Sequence, residues 1–369
     1  MLQGMASMGF SDAEEAKQRV LEAAEAGRYE EAREACKAHV LHQLHEIRKV
    51  LERAEAGGGF LGGEAPCYAD ISVGPIFAFT KAMVDTGFID VGQVFGLDSL
   101  DTLGLGAINR FLERWTRRPA WAETFLSTNT FNAVGLRSMM TKVLVKDTMT
   151  PEVMNPIFAR ARAMDARYGA MLKLVALPPA GPPPAAEAGE PRTASIAELF
   201  EEIPEPSGPP TPGLPRVAAG SARLSYGEDF LDAGAPPGPL TPFCPYCKRL
   251  GLLLGEAGVK YELVQIDLSV GKKPEWYTRA YAPGEVPAVQ GLPGFGEPGT
   301  WQGGFDECVK AFAREYPSVQ AVLDRPSPLI AADAVFKYGE RACFTGVAML
   351  MLETKEGQPM LQGMASMGF

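Results

Sequence analysis

Residues 243–289, FCPYCKRLGLLLGEAGVKYELVQIDLSVGKKPEWYTRAYAPGEVPAV, contain the pattern that decides the fold of this chain. A Cys-Pro pair opens a leucine-rich amphipathic stretch that ends at Gly258, which predicts a helix with Pro245 at its first position. YELVQIDLS is typical of a strand, KPEWYTRAY of a helical turn and GEVPAVQGLPG of a further strand. With a strand expected in RLSYGEDFLDAG and a helix in GGFDECVKAFAREYP, closed by Pro317, the order β, α, β, α, β, (β), α predicts a thioredoxin-like α/β fold.

The composition limits the classes of function. A chain of 369 residues exceeds the usual size of a single core, so we expect two domains. The net charge of -10, without a basic stripe, argues against nucleic acid as a partner. The longest apolar run, residues 343–352, is too short to span a bilayer, and the first ten residues lack the features of a signal peptide. Six cysteines fit an intracellular reducing compartment, cytoplasmic or plastid, rather than secretion.

The composition also divides the chain into four segments. Residues 1–177 are rich in Ala, Glu, Leu and Arg and predict an all-α domain. Residues 178–222 form a proline-rich segment that predicts an extended linker. Residues 223–318 carry the α/β pattern, and residues 319–369 follow it. Within the linker, residues 193–203 have apolar side chains at helical spacing, so this segment is either a short helix docked on its own chain or a docking site for a partner.

All three histidines, His39, His42 and His45, lie in the helical segment HVLHQLHE. A spacing of three residues brings neighbouring side chains together on a helix, so a metal site is geometrically possible. Because no Cys or carboxylate ligand set of metal-binding spacing accompanies them, we interpret them as one half-exposed face of a helix and expect no metal.

The chemistry concentrates at Cys244 and Cys247 in the CPYC motif. A cysteine at a helix N-terminus lies among unpaired backbone N–H groups, which favour the thiolate, so Cys244 is the candidate nucleophile. Cys247, one turn later, is either a resolving thiol or a packing residue. A lone CxxC is also half of a zinc site, but the remaining cysteines, Cys36, Cys67, Cys308 and Cys343, are scattered in the sequence. A redox or glutathione-linked thiol, a zinc ligand pair and a vestigial site therefore remain as alternatives.

CPYC, KPEWY and EVPAV together resemble the N-terminal domain of cysteine-type glutathione transferases, the group of plant dehydroascorbate reductases, omega-class transferases and chloride intracellular channel proteins. Residues 58–77, GGFLGGEAPCYADISVGPIF, are similar to the helical second domain of that family, with Cys67 in place of the usual Ser or Thr of a capping box with Asp70. The resemblance implies a thioredoxin-like domain and a helical C-domain, here in permuted order.

The decapeptide MLQGMASMGF occurs at residues 1–10 and again at 360–369. In the family the helical domain follows the thioredoxin-like domain, whereas here only its first helix, within residues 319–369, does so. Reading from residue 359 into residue 1 restores the family order. We therefore expect either a circularly permuted transferase or one period of a tandem array.

The resemblance also assigns roles to residues. Cys244 would form a mixed disulfide with glutathione, which acts as a co-substrate without a metal. Val286 would pair its backbone with glutathione beside a cis-Pro287, and Lys273 would meet the glycyl carboxylate. At the γ-glutamyl end the family usually has an acidic residue followed by Ser, where this chain offers Gly304 and Phe305 or, in a shifted register, Asp306 or Glu307. The residues expected to contact glutathione are Phe243, Pro245, Lys273, Val286, Pro287, Asp306 and Glu307.

These expectations define three functions. The first is a glutathione-dependent thiol transferase or reductase of the dehydroascorbate reductase type, which takes glutathione and a small oxidised substrate. The second is a catalytically weak module of the same fold, used for binding or as a scaffold in a tandem array or larger assembly. A channel-like role is a third possibility, but the charge pattern offers it neither a voltage sensor nor a pore segment.

Overall fold

The computed structural model describes residues 22–23, 26–85, 105–121, 123–124, 211, 213–223, 240–242, 244–267, 273–297 and 299–327. Their contacts divide the chain into two units. One contains the described residues up to 115 together with 325–327, and the other contains 116–124 and 211–324. The predictions for the repeated decapeptide, for residues 193–203 and for most of 319–369 lie outside these residues. No helix among the described residues is long and apolar enough to cross a membrane.

The first unit consists of three described helices, α1 (Tyr29–Ala56), α2 (Tyr68–Asp85) and α3 (Leu105–Trp115). The predicted end of α1 at Gly57 is confirmed. Helical spacing buries one apolar stripe of α1. An aromatic cluster packs edge to face beside it, with ring centroids 5.4 Å apart for Phe60 and Trp115 and 5.6 Å apart for Phe77 and Phe111.

A buried carboxylate, Asp70, holds the loop before α2. It accepts backbone N–H hydrogen bonds from Leu61 at 2.7 Å, Gly62 at 3.1 Å and Cys67 at 2.9 Å. The bond from Cys67 is the predicted half of the capping box. In the same unit, Arg325 donates to the carbonyl of Pro66 at 2.8 Å, so the segment after residue 324 lies against this loop.

The second unit is a mixed sheet with helices. Its elements in chain order are α4 (Pro119–Trp121), β1 (Arg216–Arg223), β2 (Leu240–Pro242), α5 (Pro245–Glu256), β3 (Glu262–Asp267), α6 (Glu275–Ala280), β4 (Ala288–Gln290), β5 (Trp301–Gly303), α7 (Phe305–Glu315) and α8 (Pro317–Leu323). From β3 to α7 the order matches the one predicted for a thioredoxin-like fold.

Strand β1 lies at the centre of the sheet. It runs parallel to β3 over residues 216–221 and antiparallel to β4 over residues 216–218. Farther along, residues 221–223 pair antiparallel with β2, and β5 pairs antiparallel with β4. Because parallel strands cannot be joined by a tight turn, α5 makes the crossover between β1 and β3. This connection places the start of α5 at the C-terminal end of β1.

The two faces of the sheet bury different layers. Ala218, Val264 and Ile266 pack on the aromatic side chains of α6, Trp276 and Tyr277. Since side chains alternate along a strand, the neighbouring residues of β1 point to the opposite face. There Ala219 packs with Cys244 and Cys247. The CPYC motif is therefore part of the core on that face.

Two predicted boundaries are wrong. Strand β1 begins at Arg216, inside the segment 178–222 that the sequence assigns to the linker. The run VAAGSA consists mostly of small residues and shows no polar alternation, because the strand is buried on both faces. The second wrong boundary is the domain end at residue 318, because α8 continues to Leu323. The predicted closure of the preceding helix at Pro317 is confirmed, since α7 ends at Glu315 and Pro317 is the first residue of a separate helix, where proline is tolerated.

The far end of α5 is fixed by the segment 116–124. Arg118 forms a bidentate ion pair with the buried carboxylate of Glu256, at 2.5 and 2.6 Å. A Cβ atom at Gly255 would lie only 2.9 Å from the Cβ of Ala120, so this approach requires glycine. These contacts hold the axis of α5 and so the position of its N-terminus.

Candidate functional site

The site begins where β1 meets α5. Cys244 immediately precedes α5, and Pro245 is the first helical residue, as predicted. The backbone N–H of Cys244 donates to the carbonyl of Gly220 at 3.3 Å, and its carbonyl accepts from Lys248 at 3.0 Å. Cys244 is thus held at the open end of the helix, where the first N–H groups lack intrahelical partners and attract negative charge.

The second cysteine lies behind the first. Cys247 accepts a hydrogen bond from the backbone N–H of Gly220, with the nitrogen 3.3 Å from its sulfur. Burial raises the pKa of the Cys247 thiol well above its ordinary value, and a hydrogen bond with Cys244 and the charge of Cys244 add to the rise. Cys247 therefore stays protonated at neutral pH, in contact with Cys244.

The loop before β4 faces the two thiols. The Val286–Pro287 peptide is cis, which confirms that expectation. The sulfur of Cys244 lies 4.0 Å from the carbonyl oxygen of Val286, and the Val286 side chain packs on Cys244 and Cys247. A third thiol, Cys308 of α7, donates to the carbonyl of Pro287 at 3.7 Å. Cys308, which looked isolated in the sequence, supports the cis-proline loop from behind.

The turn that leads into this loop has its own supports. The Tyr277 hydroxyl donates to the carbonyl of Glu285 at 2.6 Å. Gly284 has a φ of +61°, and the Nζ of Lys273 lies 3.7 Å from the position that a Cβ on Gly284 would take. Lys273, the residue expected to meet the glycyl carboxylate, therefore lies against the same turn.

The start of α7 differs from the pattern of the resembling family. Gly304 caps the helix with a φ of +86°, and Phe305 is its first residue. The guanidinium of Arg249 lies 4.2 Å from the centroid of the Phe305 ring, and the ring of Tyr246 lies 5.9 Å from it. Arg249, Phe305 and Tyr246 form a cation–π stack beside the CPYC motif.

Carboxylates lie near the start of α7, where Phe305 of that stack is the first residue. Asp306 and Glu307 are exposed in the first turn of α7, and Glu307 pairs with Lys310 at 2.8 Å. A Cβ on Gly304 would lie 3.2 Å from Oε2 of Glu285. Phe305, at the position where the resembling family usually has Ser, is thus followed directly by two acidic residues, Asp306 and Glu307.

Lys248 completes the site and was not anticipated from the sequence. It follows Cys247, and only 6% of its surface is exposed. Burial lowers the pKa of Lys248 to about 8, and the charges of Cys244 and Cys247 oppose that fall. The only sequence signal was its position four residues after Cys244, which places two residues on one face of a helix.

Comparisons with known proteins match this part of the chain. The sequence model of the family described as "Glutathione S-transferase, N-terminal domain" matches residues 243–314. This segment is therefore similar to the N-terminal domain of cysteine-type glutathione transferases. No solved structure gives a significant match.

Three curated relatives match this transferase segment. "Glutathione S-transferase DHAR3, chloroplastic" of Arabidopsis thaliana is 34% identical over 74 residues, which are 20% of this chain and 26% of the relative. "Glutathione S-transferase omega-1" of Sus scrofa is 32% identical over 87 residues, 21% of this chain and 33% of the relative. "Glutathione S-transferase omega-2" of Mus musculus is 33% identical over 64 residues, 15% of this chain and 25% of the relative. The chain thus matches only a quarter to a third of the length of each relative.

The transferase domain brings most of the predicted site residues together. Cys244, Pro245, Cys247, Val286 and Pro287 meet at the start of α5, and Lys273 lies against the adjoining turn. Phe243 lies outside the described residues. Among the residues that the structure describes, no group of three or more His, Cys, Asp or Glu side chains could hold a metal ion. The side chains of His39 and His42 are not among them.

Proposed function

We propose that this chain is a glutathione-dependent thiol transferase or reductase that acts through Cys244. One observation carries the proposal: the Cys244 sulfur lies at the N-terminus of α5 and 4.0 Å from the carbonyl of Val286, next to a cis-proline. The helix end favours a thiolate, and the extended backbone at Val286 offers hydrogen-bonding groups to a peptide-like substrate.

The reaction is a pair of thiol exchanges. The Cys244 thiolate attacks the glutathione sulfur of a glutathionylated thiol, the mixed disulfide forms, and the substrate thiolate leaves. A second glutathione thiolate then attacks the mixed disulfide, which releases oxidised glutathione and restores the Cys244 thiolate. With dehydroascorbate, the thiolate adds to a carbonyl carbon, and two glutathione molecules supply the two electrons that yield ascorbate and oxidised glutathione. Neither route requires a metal.

Glutathione would lie along the cis-proline loop. Its cysteinyl segment would pair with the backbone of Val286 before Pro287, and its glycyl carboxylate would meet Lys273, which lies at the turn before that loop. The γ-glutamyl end would approach the start of α7, where its ammonium group has carboxylates of Asp306 or Glu307 within the first turn. Phe305 in place of Ser is expected to weaken the hold on the γ-glutamyl carboxylate.

That same position favours the second candidate, a binding module with little activity. The Phe305 ring stacks on Arg249 and Tyr246, so a side chain that packs replaces one that hydrogen-bonds. In this alternative the thioredoxin-like unit serves as a binding or scaffold domain.

One experiment separates the two candidates. Glutathione-dependent reduction of dehydroascorbate and of a small glutathionylated disulfide is measured for the wild-type chain, Cys244→Ser and Cys67→Ser. We expect turnover that falls to the uncatalysed background in Cys244→Ser and is retained in Cys67→Ser, because Cys67 belongs to the other unit. Wild-type rates equal to those of Cys244→Ser on both substrates would reject the enzyme and leave the binding module.

The proposal includes the permuted order of the helical domain and a reducing compartment, cytoplasmic or plastid. Support for the order comes from Arg325 and Ser327, which reach the loop at Pro66 and Cys67 and so bring the segment after α8 to the loop before α2. Limited proteolysis between the two units, followed by mass analysis of fragments that stay associated, tests it. Residues 22–115 are expected to retain the fragment that begins near residue 325.

A further inference from the structure

We propose that Lys248 is a positioning residue whose buried ammonium group holds Cys244 in the thiolate form. Lys248 does not touch the substrate in this account; it acts through Cys244. The inference extends the proposed function, because it explains how that site would ionise its nucleophile.

Geometry brings the two groups together. Lys248 lies one helical turn after Cys244, and its backbone N–H donates to the Cys244 carbonyl at 3.0 Å. Lys248 is almost wholly buried, and it directly follows Cys247, which packs with Cys244 against Ala219. The charges of both cysteines act on it.

A lysine in this place is costly unless an anion compensates it. The first turn of a helix lies at the positive end of the helix dipole, so a cation there is unfavourable. Burial adds a desolvation cost, which lowers the pKa of Lys248 to about 8. A thiolate at Cys244 offsets both costs, because it lies at the same helix end and inside the same poorly solvated region.

The other titratable groups described near the thiols are three side chains that are uncharged at neutral pH and one further cation, Arg249 of the cation–π stack. Cys247 and Cys308 have pKa values raised by burial, the latter to about 12. Burial likewise raises the pKa of Tyr277 above its ordinary value, with the charges of Cys247 and Glu285 adding to the rise. Lys248 directly follows the CPYC motif and is a cation on which the charge of Cys244 acts, whereas the guanidinium of Arg249 lies over the Phe305 ring.

During exchange Lys248 neither gives nor takes a proton. The negative charge passes from the Cys244 sulfur to the leaving sulfur when the mixed disulfide forms, and it returns when glutathione resolves the adduct. The Cys244 sulfur is thus negative before the first exchange and after the second, and it is neutral in the mixed disulfide between them, so the role of the ammonium group is electrostatic.

The test follows the ionisation of Cys244 itself. The parent protein is Cys247→Ser. The rate of iodoacetamide modification of Cys244 is measured by mass spectrometry across pH 5–10 for this parent and for the parent with Lys248→Met or Lys248→Arg added. The matched control is Lys310→Met, which removes an exposed lysine of α7. We expect Lys248→Met to raise the midpoint by about one pH unit and, at a pH below both midpoints, to slow the reaction roughly tenfold. Lys248→Arg should keep the parent midpoint, as should Lys310→Met.

A Lys248→Met midpoint equal to that of Lys310→Met would overturn the inference. A reciprocal measurement in the native chain covers the case in which a variant misfolds. The pKa of Lys248 is measured by NMR of its side chain, and carbamidomethylation of Cys244 should lower it. An unchanged pKa of Lys248 would again overturn the inference. The proposed function fails separately. If the wild-type chain turns over substrate but Lys248→Met does not change the Cys244 midpoint, only this inference is rejected. If Lys248→Met raises the midpoint but the wild-type chain shows no turnover, only the proposed enzymatic function is rejected.

Discussion

Cys67 and Cys244 stand at the same position of two helices, yet the charged side chains near them differ in sign. Each is the residue directly before a helix, α2 or α5. Cys67 has the carboxylate of Asp70 beside it, and burial together with that negative charge raises the pKa of its thiol to about 11. Cys244 has the ammonium group of Lys248 one turn away instead.

The comparison shows what a helix N-terminus can and cannot do. Its unpaired N–H groups favour an anion, but at α2 the anion is already supplied by Asp70, which accepts three backbone N–H bonds. Cys67 is then left as a packing residue. At α5 those groups have no carboxylate in the first turn, so the thiol of Cys244 is the group placed to carry the charge. We therefore expect the charge of the residue three or four positions after the cysteine, Asp70 or Lys248, to decide whether the thiol ionises.

The largest expected effect is a difference in reactivity between these thiols. At pH 8 a thiol with a pKa of about 11 is ionised in roughly one molecule in a thousand, so Cys67 should react about a thousandfold more slowly than an ionised Cys244. Brief treatment with iodoacetamide and peptide mass analysis measures the ratio, with Cys308 as a second buried reference. Equal labelling of Cys67 and Cys244 would contradict the expected difference in thiol ionisation.

A second prediction removes the carboxylate at α2. Asp70→Ala leaves two buried and one partly buried amide donor without their acceptor and should lower the free energy of unfolding by about 3 kcal/mol. Urea unfolding measures the loss. Glu64→Ala, an exposed acidic residue of the same loop, is the control and should change little. A loss below about 1 kcal/mol for Asp70→Ala would mean that water replaces the carboxylate.

A third prediction concerns the cost of the cation at α5. The pKa of Lys248 falls on folding from 10.5 to about 8, so the unfolded chain binds more protons between these values and the contribution of Lys248 to stability rises with pH across that window. Lys248→Met should therefore be more stable than wild type at pH 7, on the order of 2 kcal/mol. Thermal unfolding at pH 7 and 10 should show this gap closing. A gap that stays constant contradicts a buried, titrating lysine.

The smallest expected effect is at Cys67 itself. Cys67→Ser supplies a hydroxyl oxygen, which caps a helix better than a thiol does, and should stabilise the first unit by about 0.5 kcal/mol. Its urea midpoint is compared with that of Cys67→Ala, which removes the cap without adding an acceptor. A serine variant less stable than the alanine variant would show that the site selects for an apolar side chain.

The features that local sequence determines were predictable. The start of α5 at Pro245 and the bond from the Cys67 N–H to Asp70 each depend on residues close together in the chain, and both are found. The cis peptide at Pro287, which the family resemblance implied, is found as well. The register at the start of α7 was open, because a Gly-Phe-Asp-Glu run fits two alignments equally well; the structure begins the helix at Phe305.

Features that depend on tertiary packing were missed. Strand β1 has neither alternation nor large β-branched residues, so nothing in its sequence distinguished it from the linker. Cys308 reaches the cis-proline loop from a helix that follows it in the chain, and the burial of Lys248 results from the elements packed around α5. The burial of a charged side chain and the contacts of a thiol with distant residues produce no local sequence pattern from which they could be predicted.

The most direct test of the account is the pKa of the Cys244 thiol, from the pH dependence of its alkylation in the native chain with Cys244→Ser as the blank. The account predicts a midpoint clearly below the ordinary thiol value of about 8.5, together with glutathione-dependent turnover that Cys244→Ser lacks. A midpoint at or above 8.5 without turnover would contradict the account. Cys244 would then be, like Cys67, a packing residue at the start of a helix.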